Sequence, residues 1–450
     1  MSKVIRLKKG LDIKLVGSAE KVLNSAPLAD VYAVCPTDFF GVTPKLLVQE
    51  GANVKAGTAL FFDKNNPELI FTSPVSGVVK EIVRGEKRKI LRVEITPSQT
   101  QEYETFEIGD LASSSREQII ETIQKAGLWS MFIQRPYGVI PQSTQEPKAI
   151  YVSAFDTAPI AGDVDFFMNN LDADFLKGVE VLKKLAPKVH IGVNPRNNFK
   201  ALTQVSGVET TTFEGKHPAG NVGVQIHHTS PINKGETVWT IGMQEIAILG
   251  RLFTSGKVDM TKIVALAGSM VKRPQYYRII SGAKLDSIVN DKIDAESATP
   301  RFISGNPLTG KQTCKDGYIS YYANQISVIP EGDYYEMLGW IAPRLEKMSV
   351  SRTYFSWLTP SKKYALDTNE NGGERAFVMT GEYENVLPMD IYPVYLLKAI
   401  LAGDIDKMEN LGIYEVIEED LALCEFVCTS KILVQKIVRD GINLMIKELS

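Results

Sequence analysis

Apolar and polar positions alternate differently along five stretches of the chain. Between about 37 and 100, Val48–Phe61 alternates around the turn glycines Gly51 and Gly57, and Ser73–Ile82 repeats the turn-then-strand plan. Ala149–Phe155 is a short apolar run that predicts a strand. After it Phe166, Phe167, Leu171, Phe175, Val179, Leu182 and Leu185 recur at helical spacing until Pro187. Val189–Val193 supplies the next strand. That order predicts a right-handed crossover and hence a parallel sheet. Gly207–Phe213 adds a further strand. A helix is predicted over Glu236–Phe253, its stripe including Val238, Trp239 and Ile241, with Gly256 as its stop.

Beyond 258, strands dominate, led by Lys262–Gly268 and Tyr276–Ile280. A loop-rich stretch over 333–380 holds Trp340, Tyr354, Phe355 and Trp357, for which core filling is the default place and a protein-contact surface the alternative. Helical spacing returns in Glu418–Cys428 and Lys431–Leu449. The reading is an α/β multidomain chain divided at 1–111, 112–257, 258–332, 333–380 and 381–450.

Composition narrows the functions. At 450 residues, with 44% hydrophobic and 23% charged positions, a sizeable core is available. A net charge of −3 argues against broad nucleic-acid binding. Four cysteines are too few for a disulfide scaffold and suggest a reducing compartment. The basic N-terminus lacks the apolar core of a secretory signal, and no long apolar run predicts a spanning helix. Any membrane role is therefore expected to come through a partner.

The stretch most able to carry chemistry is Phe213–His228, with three of the four histidines and three glycines. It follows the Gly207–Phe213 strand, and parallel sheets bind ligands beyond the carboxyl ends of their strands. Its glycines allow close backbone approach, while histidine and asparagine offer adaptable hydrogen bonds. Adjacent His227 and His228 cannot easily join His217 on one ion, and no cysteine pair stands nearby, so no metal site is expected. Gly305–Lys311 mimics a phosphate loop, but Gln312 replaces the magnesium-binding hydroxyl and Pro307 interrupts the amide cradle, which leaves a turn. Cys424 and Cys428 share one helical face, as metal ligands, reactive thiols or buried apolar residues; burial is favoured.

Two resemblances sharpen this. The pair Val48–Phe61 and Ser73–Ile82 resembles the halves of a lipoyl-like barrel-sandwich, although Lys64 lies too close to the first half for a carrier lysine and reads as part of a structural hairpin. Three longer motifs occur in order: Phe213–Gly223 (FEGKHPAGNVG), Asn324–Gly332 (NQISVIPEG) and Glu419–Cys428 (EDLALCEFVC). With Gly127–Leu128–Trp129 they make the chain, along nearly its whole length, similar to the A-subunit family of bacterial sodium-translocating NADH:quinone reductases.

The resemblance implies a peripheral subunit on the cytoplasmic side of the bacterial inner membrane, docked on integral membrane subunits of a sodium-pumping translocase. It implies an α/β domain similar to the complex I flavin-subunit fold, a ubiquitin-like β-grasp domain over 258–332 and a C-terminal helical region. Gly127–Leu128–Trp129 stands where relatives carry a glycine-rich flavin loop. No cofactor is therefore expected to be bound tightly by this chain, with NADH, flavins and the iron–sulfur centre expected in partner subunits. Quinone is the expected substrate, held by Lys216, His217, Gly220 and Asn221 in an apolar pocket, with a protonated His217 to steady the charge of the reduced ring. The competing readings are an Rnf-type electron-transfer subunit with its own flavin or cluster, and a purely structural docking subunit.

Overall fold

The chain builds three sheet systems and a helical end, seen in a computed structural model that describes residues 3–342 and 344–449. The early alternation folds into two antiparallel sheets. One runs Tyr32–Val34, Ile90–Pro97, Gly77–Arg84, Asn53–Val54; the other runs Pro44–Leu46, Ala59–Asp63, Asn66–Thr72. Their apolar faces share Val54, Leu60, Phe71, Val79 and Val93, with Phe61 stacked on Phe71 at 4.7 Å. Lys64 is exposed on the turn between Ala59–Asp63 and Asn66–Thr72, where the Asp63 carboxylate accepts the Thr43 N–H at 2.9 Å. This is an internally bonded hairpin.

The central sheet has the order Lys3–Arg6, Glu209–Glu214, Val189–Val193, Ile150–Ser153, Val238–Thr240, Ile133–Arg135, parallel except at the last pair. The helix expected over Glu236–Phe253 is therefore two elements. Val238–Thr240 is a strand buried throughout, and the helix is Met243–Ser255. A strand covered on both faces shows no alternation, so its apolar residues merge with the stripe of the helix behind it. The helical run from Phe166 to Leu185 also divides, into Val164–Phe167 and Asp172–Leu185, because Asn170 takes a φ of 63°. The helices Asp172–Leu185 and Met243–Ser255 pack nearly backbone to backbone: a Cβ on Gly250 would lie 1.8 Å from the Asp174 carbonyl oxygen.

The third system is a mixed sheet ordered Lys311–Thr313, Pro300–Ser304, Gln325–Pro330, Thr261–Ala267, Gln275–Ile280, Glu20–Ser25. Gly305–Lys311 is the turn between two of its antiparallel strands, with Asn306 Oδ1 accepting the Leu308 and Thr309 N–H groups. The N-terminal residues complete two later sheets, Lys3–Arg6 at the edge of one and Glu20–Ser25 at the edge of the other.

The helical end packs Leu396, Leu397, Val438, Ile442 and Met445 into its own core. Glu418–Leu421 forms a 3-10 turn ahead of the helix Ala422–Val427, where one helix from 418 to 428 was expected. The last helix begins at Val434, because Lys431 has a φ of 58°. Cys424 and Cys428 are both buried; Tyr383 donates its hydroxyl to Cys428 Sγ at 2.9 Å, and burial pushes the Cys424 thiol up. Of the four aromatics singled out in the 333–380 segment only Tyr354 fills core. Trp340, Phe355 and Trp357 stay exposed, at 43%, 38% and 53%. Among the described residues no helix is long and apolar enough to cross a membrane.

Candidate functional site

Three parallel strands end side by side at Ser153, Val193 and Glu214, and the loops beyond them meet the helical end of the chain. Glu209–Glu214 runs into the loop 215–221, which opens the helix Val222–Thr229. His217 is buried there, only 4% exposed. Its backbone N–H donates to Asp12 Oδ1 at 3.0 Å, and its carbonyl accepts the Leu11 N–H at 2.8 Å. Thr157, just past the first strand, lies 3.2 Å from His217 Nδ1 through its hydroxyl. The same hydroxyl accepts the Gly220 N–H at 3.0 Å. A hydroxyl that accepts the Gly220 N–H keeps one proton and one further lone pair, so it serves Nδ1 in either tautomer of a neutral His217.

Burial lowers the His217 pKa to about 4, against the pull of Asp12. The imidazole is neutral at pH 7, contrary to the protonated ring expected from sequence, because desolvation outweighs the one nearby carboxylate.

The other residues singled out by sequence fall into different places. Gly220 packs on the Asp156–Thr157 backbone, where a Cβ would sit 2.8 Å from the Thr157 nitrogen. Asn221 donates through Nδ2 to the Glu419 carbonyl at 3.2 Å and so ties the loop to the helical end. Lys216 is exposed. His227 and His228 lie in the last turn of the helix. His227 holds Glu415 at 2.7 Å and His228 the Pro388 carbonyl at 2.7 Å. The three histidines thus turn to three separate partners.

Sequence reasoning missed the strongest polar cluster. Arg135, 1% exposed, donates to Asp420 Oδ2 at 2.6 Å and also holds the Glu419 carboxylate. Gly223 makes room for this pair: a Cβ there would fall 2.2 Å from Asp420 Oδ1 and 2.3 Å from Arg135 Nη1. Burial would lower the Arg135 pKa, but Asp420 and Glu419 more than offset it and the guanidinium stays charged. Burial pushes Glu419 up to about 7 against the opposing Arg135, with Asp420 and Asp156 adding to the rise. Asp156 is itself raised by burial, although the Ala158 and Thr157 N–H groups favour its charge. An arginine inside a buried strand signals a paired carboxylate, but this partner is 285 residues away.

Chemically, the strand ends bring together a neutral imidazole, an exposed lysine beside it and two carboxyl groups.

Fold and site together define a multidomain α/β protein whose parallel sheet is joined to a barrel-sandwich and closed by a helical end. Family models match in order: the NqrA N-terminal barrel-sandwich hybrid domain over 5–98, the NqrA second alpha/beta domain over 114–258, and the NQRA C-terminal domain over 263–315. The chain belongs to the NqrA family, the A-type subunits of Na(+)-translocating NADH-quinone reductases. It is 36% identical to the family member of Rhodopirellula baltica, over 99% of this chain and 98% of that one. It is 38% identical to that of Neisseria meningitidis serogroup A, over 99% and 100%. A solved NAD+-reducing [NiFe]-hydrogenase in the H2-reduced state matches at 11% identity with a TM-score of 0.39, over 75% of this chain and 62% of that chain; so distant a likeness bears on neither fold nor function.

Proposed function

We propose that this chain is the peripheral, cytoplasmic-side assembly subunit of a sodium-translocating NADH:quinone reductase, and that it contacts quinone through Lys216, His217, Gly220 and Asn221. Integral membrane subunits are its partners, and NADH, flavins and the iron–sulfur centre belong to other subunits. The α/β domain is of the complex I flavin-subunit type, and the sheet around 258–332 is a β-grasp unit. The observation that carries the quinone reading is His217: neutral, with its Nε2 uncommitted among the described residues and able to carry the ring proton, beyond the carboxyl ends of a parallel sheet. A quinone presents two carbonyl acceptors on an apolar ring, which such a donor matches.

Titration of the purified chain with a soluble quinone analogue tests this. Saturable binding is expected, weakened about tenfold in His217→Ala for one lost hydrogen bond, and the chain should be free of flavin absorbance. No saturable binding, or binding indifferent to His217→Ala, removes the quinone site. A complex that assembles and reduces quinone normally without this chain removes the assembly role.

A further inference from the structure

Residues 348–366, between Glu346 and Asp367, carry Arg352, Lys362 and Lys363 and no acidic residue, in a chain whose net charge is −3, while Lys347 ahead of them is paired with Glu336. Within this run, Phe355–Lys363 is exposed at every position but the half-buried Ser356. Phe355, Trp357 and Leu358 lie in one short 3-10 turn and leave 38%, 53% and 56% of their surface uncovered. Lys14 adds a further cation, its Nζ donating to the Pro360 carbonyl at 2.7 Å. Tyr354 and Lys362 fasten the run to the preceding loop, through the carbonyls of Gly339 and Leu345. The apolar turn is therefore presented on a tethered base.

We propose that Arg352–Lys363 is an interfacial membrane anchor, with Phe355, Trp357 and Leu358 entering the headgroup region of an anionic bilayer and Arg352, Lys362, Lys363 and Lys14 facing its lipid phosphates. Tryptophan with flanking lysine and arginine is the composition of a chain lying at a bilayer interface. Tryptophan, phenylalanine and arginine suit protein interfaces too, but lysine is depleted there, so it is Lys14, Lys362 and Lys363 that favour a lipid surface over a partner subunit. The cationic run complements a negatively charged leaflet. The contact is to lipid itself, and it goes beyond the assembly role and does not depend on it.

The full chain is mixed with vesicles of phosphatidylcholine containing about a third phosphatidylglycerol, and with phosphatidylcholine alone, then followed by co-sedimentation and tryptophan emission. Binding to the anionic vesicles is expected, weakening as salt is raised, with a blue shift that Trp357→Phe abolishes. Each cation near such a surface is worth about fivefold in partitioning, so Lys362→Ser with Lys363→Ser should weaken binding about 25-fold. Trp357→Ser with Leu358→Ser should abolish it. Thermal melts should match the parent for both double variants. Failure to bind anionic vesicles, or binding unchanged in both double variants, overturns the anchor. So does normal vesicle binding in variants that fail to join the complex in detergent, which would make this a protein contact. Vesicle binding by a chain the complex does not need would leave the anchor standing and remove the assembly role.

Discussion

The loop 215–221 and the segment 355–363 are both irregular and both carry residues that suit a binding surface, yet they are handled in opposite ways. The first is drawn inward. His217, Gly220 and Asn221 are each held by a residue distant in sequence: Asp12 and Thr157, Thr157 again, and Glu419. The second faces out, its aromatics uncovered although the chain had apolar surface to bury elsewhere. Composition does not separate the two. Irregular backbone becomes rigid where other elements satisfy its polar groups, and stays available as surface where they do not.

The contrast can be broken most severely at the cluster behind the inward loop. Arg135→Met should destabilise the chain by about 3–5 kcal/mol in denaturant titration, because it strands the buried Asp420 carboxylate, and half-buried Glu419 beside it, without their cation. A smaller change would show the cluster to be solvent-filled.

Next comes the pH response of His217. Its ordinary pKa is about 6.5 and its folded value about 4, so within that window the unfolded chain takes a proton that the folded chain refuses. Stability is then full above about pH 6.5 and falls as pH drops toward 4, by up to about 3 kcal/mol. Melting curves of His217→Gln should lose this part of the acid slope; an unchanged slope would place the titration elsewhere. The smallest effect belongs to the outward segment. Trp357→Ser with Leu358→Ser should leave unfolding free energy within about 0.5 kcal/mol of the parent, since neither residue fills core.

Much of the architecture was legible because periodicity reports what one element buries. Val189–Val193 is a strand with the bounds that its apolar run predicts, and the positive φ of 68° at Gly256 ends its helix as expected. Val238–Thr240 was hidden because a strand buried on both faces has no period of its own. The site was legible only in part. His217 stands beyond a strand end as expected, but Thr157 and Asp12, which bond its ring and hold its backbone, lie 60 and 205 residues away in sequence. The charge of that histidine was misjudged because desolvation is a property of the packed site. Exposure of Trp357 was equally unreadable, since aromatics fill cores far more often than they face water.

The N-terminal strands set an order of assembly during synthesis. Lys3–Arg6 can dock only after Glu209–Glu214 has left the ribosome, and Glu20–Ser25 only after Gln275–Ile280. At about 5–20 residues per second, the first strand waits roughly 10–40 s for its neighbour. The barrel-sandwich between Tyr32 and Pro97 needs no such wait to close its two sheets, and the bridge from Tyr32 to Ala283 comes later. A nascent chain thus carries a finished small domain behind an unpaired leading strand, a period in which chaperones that shield extended segments have something to hold.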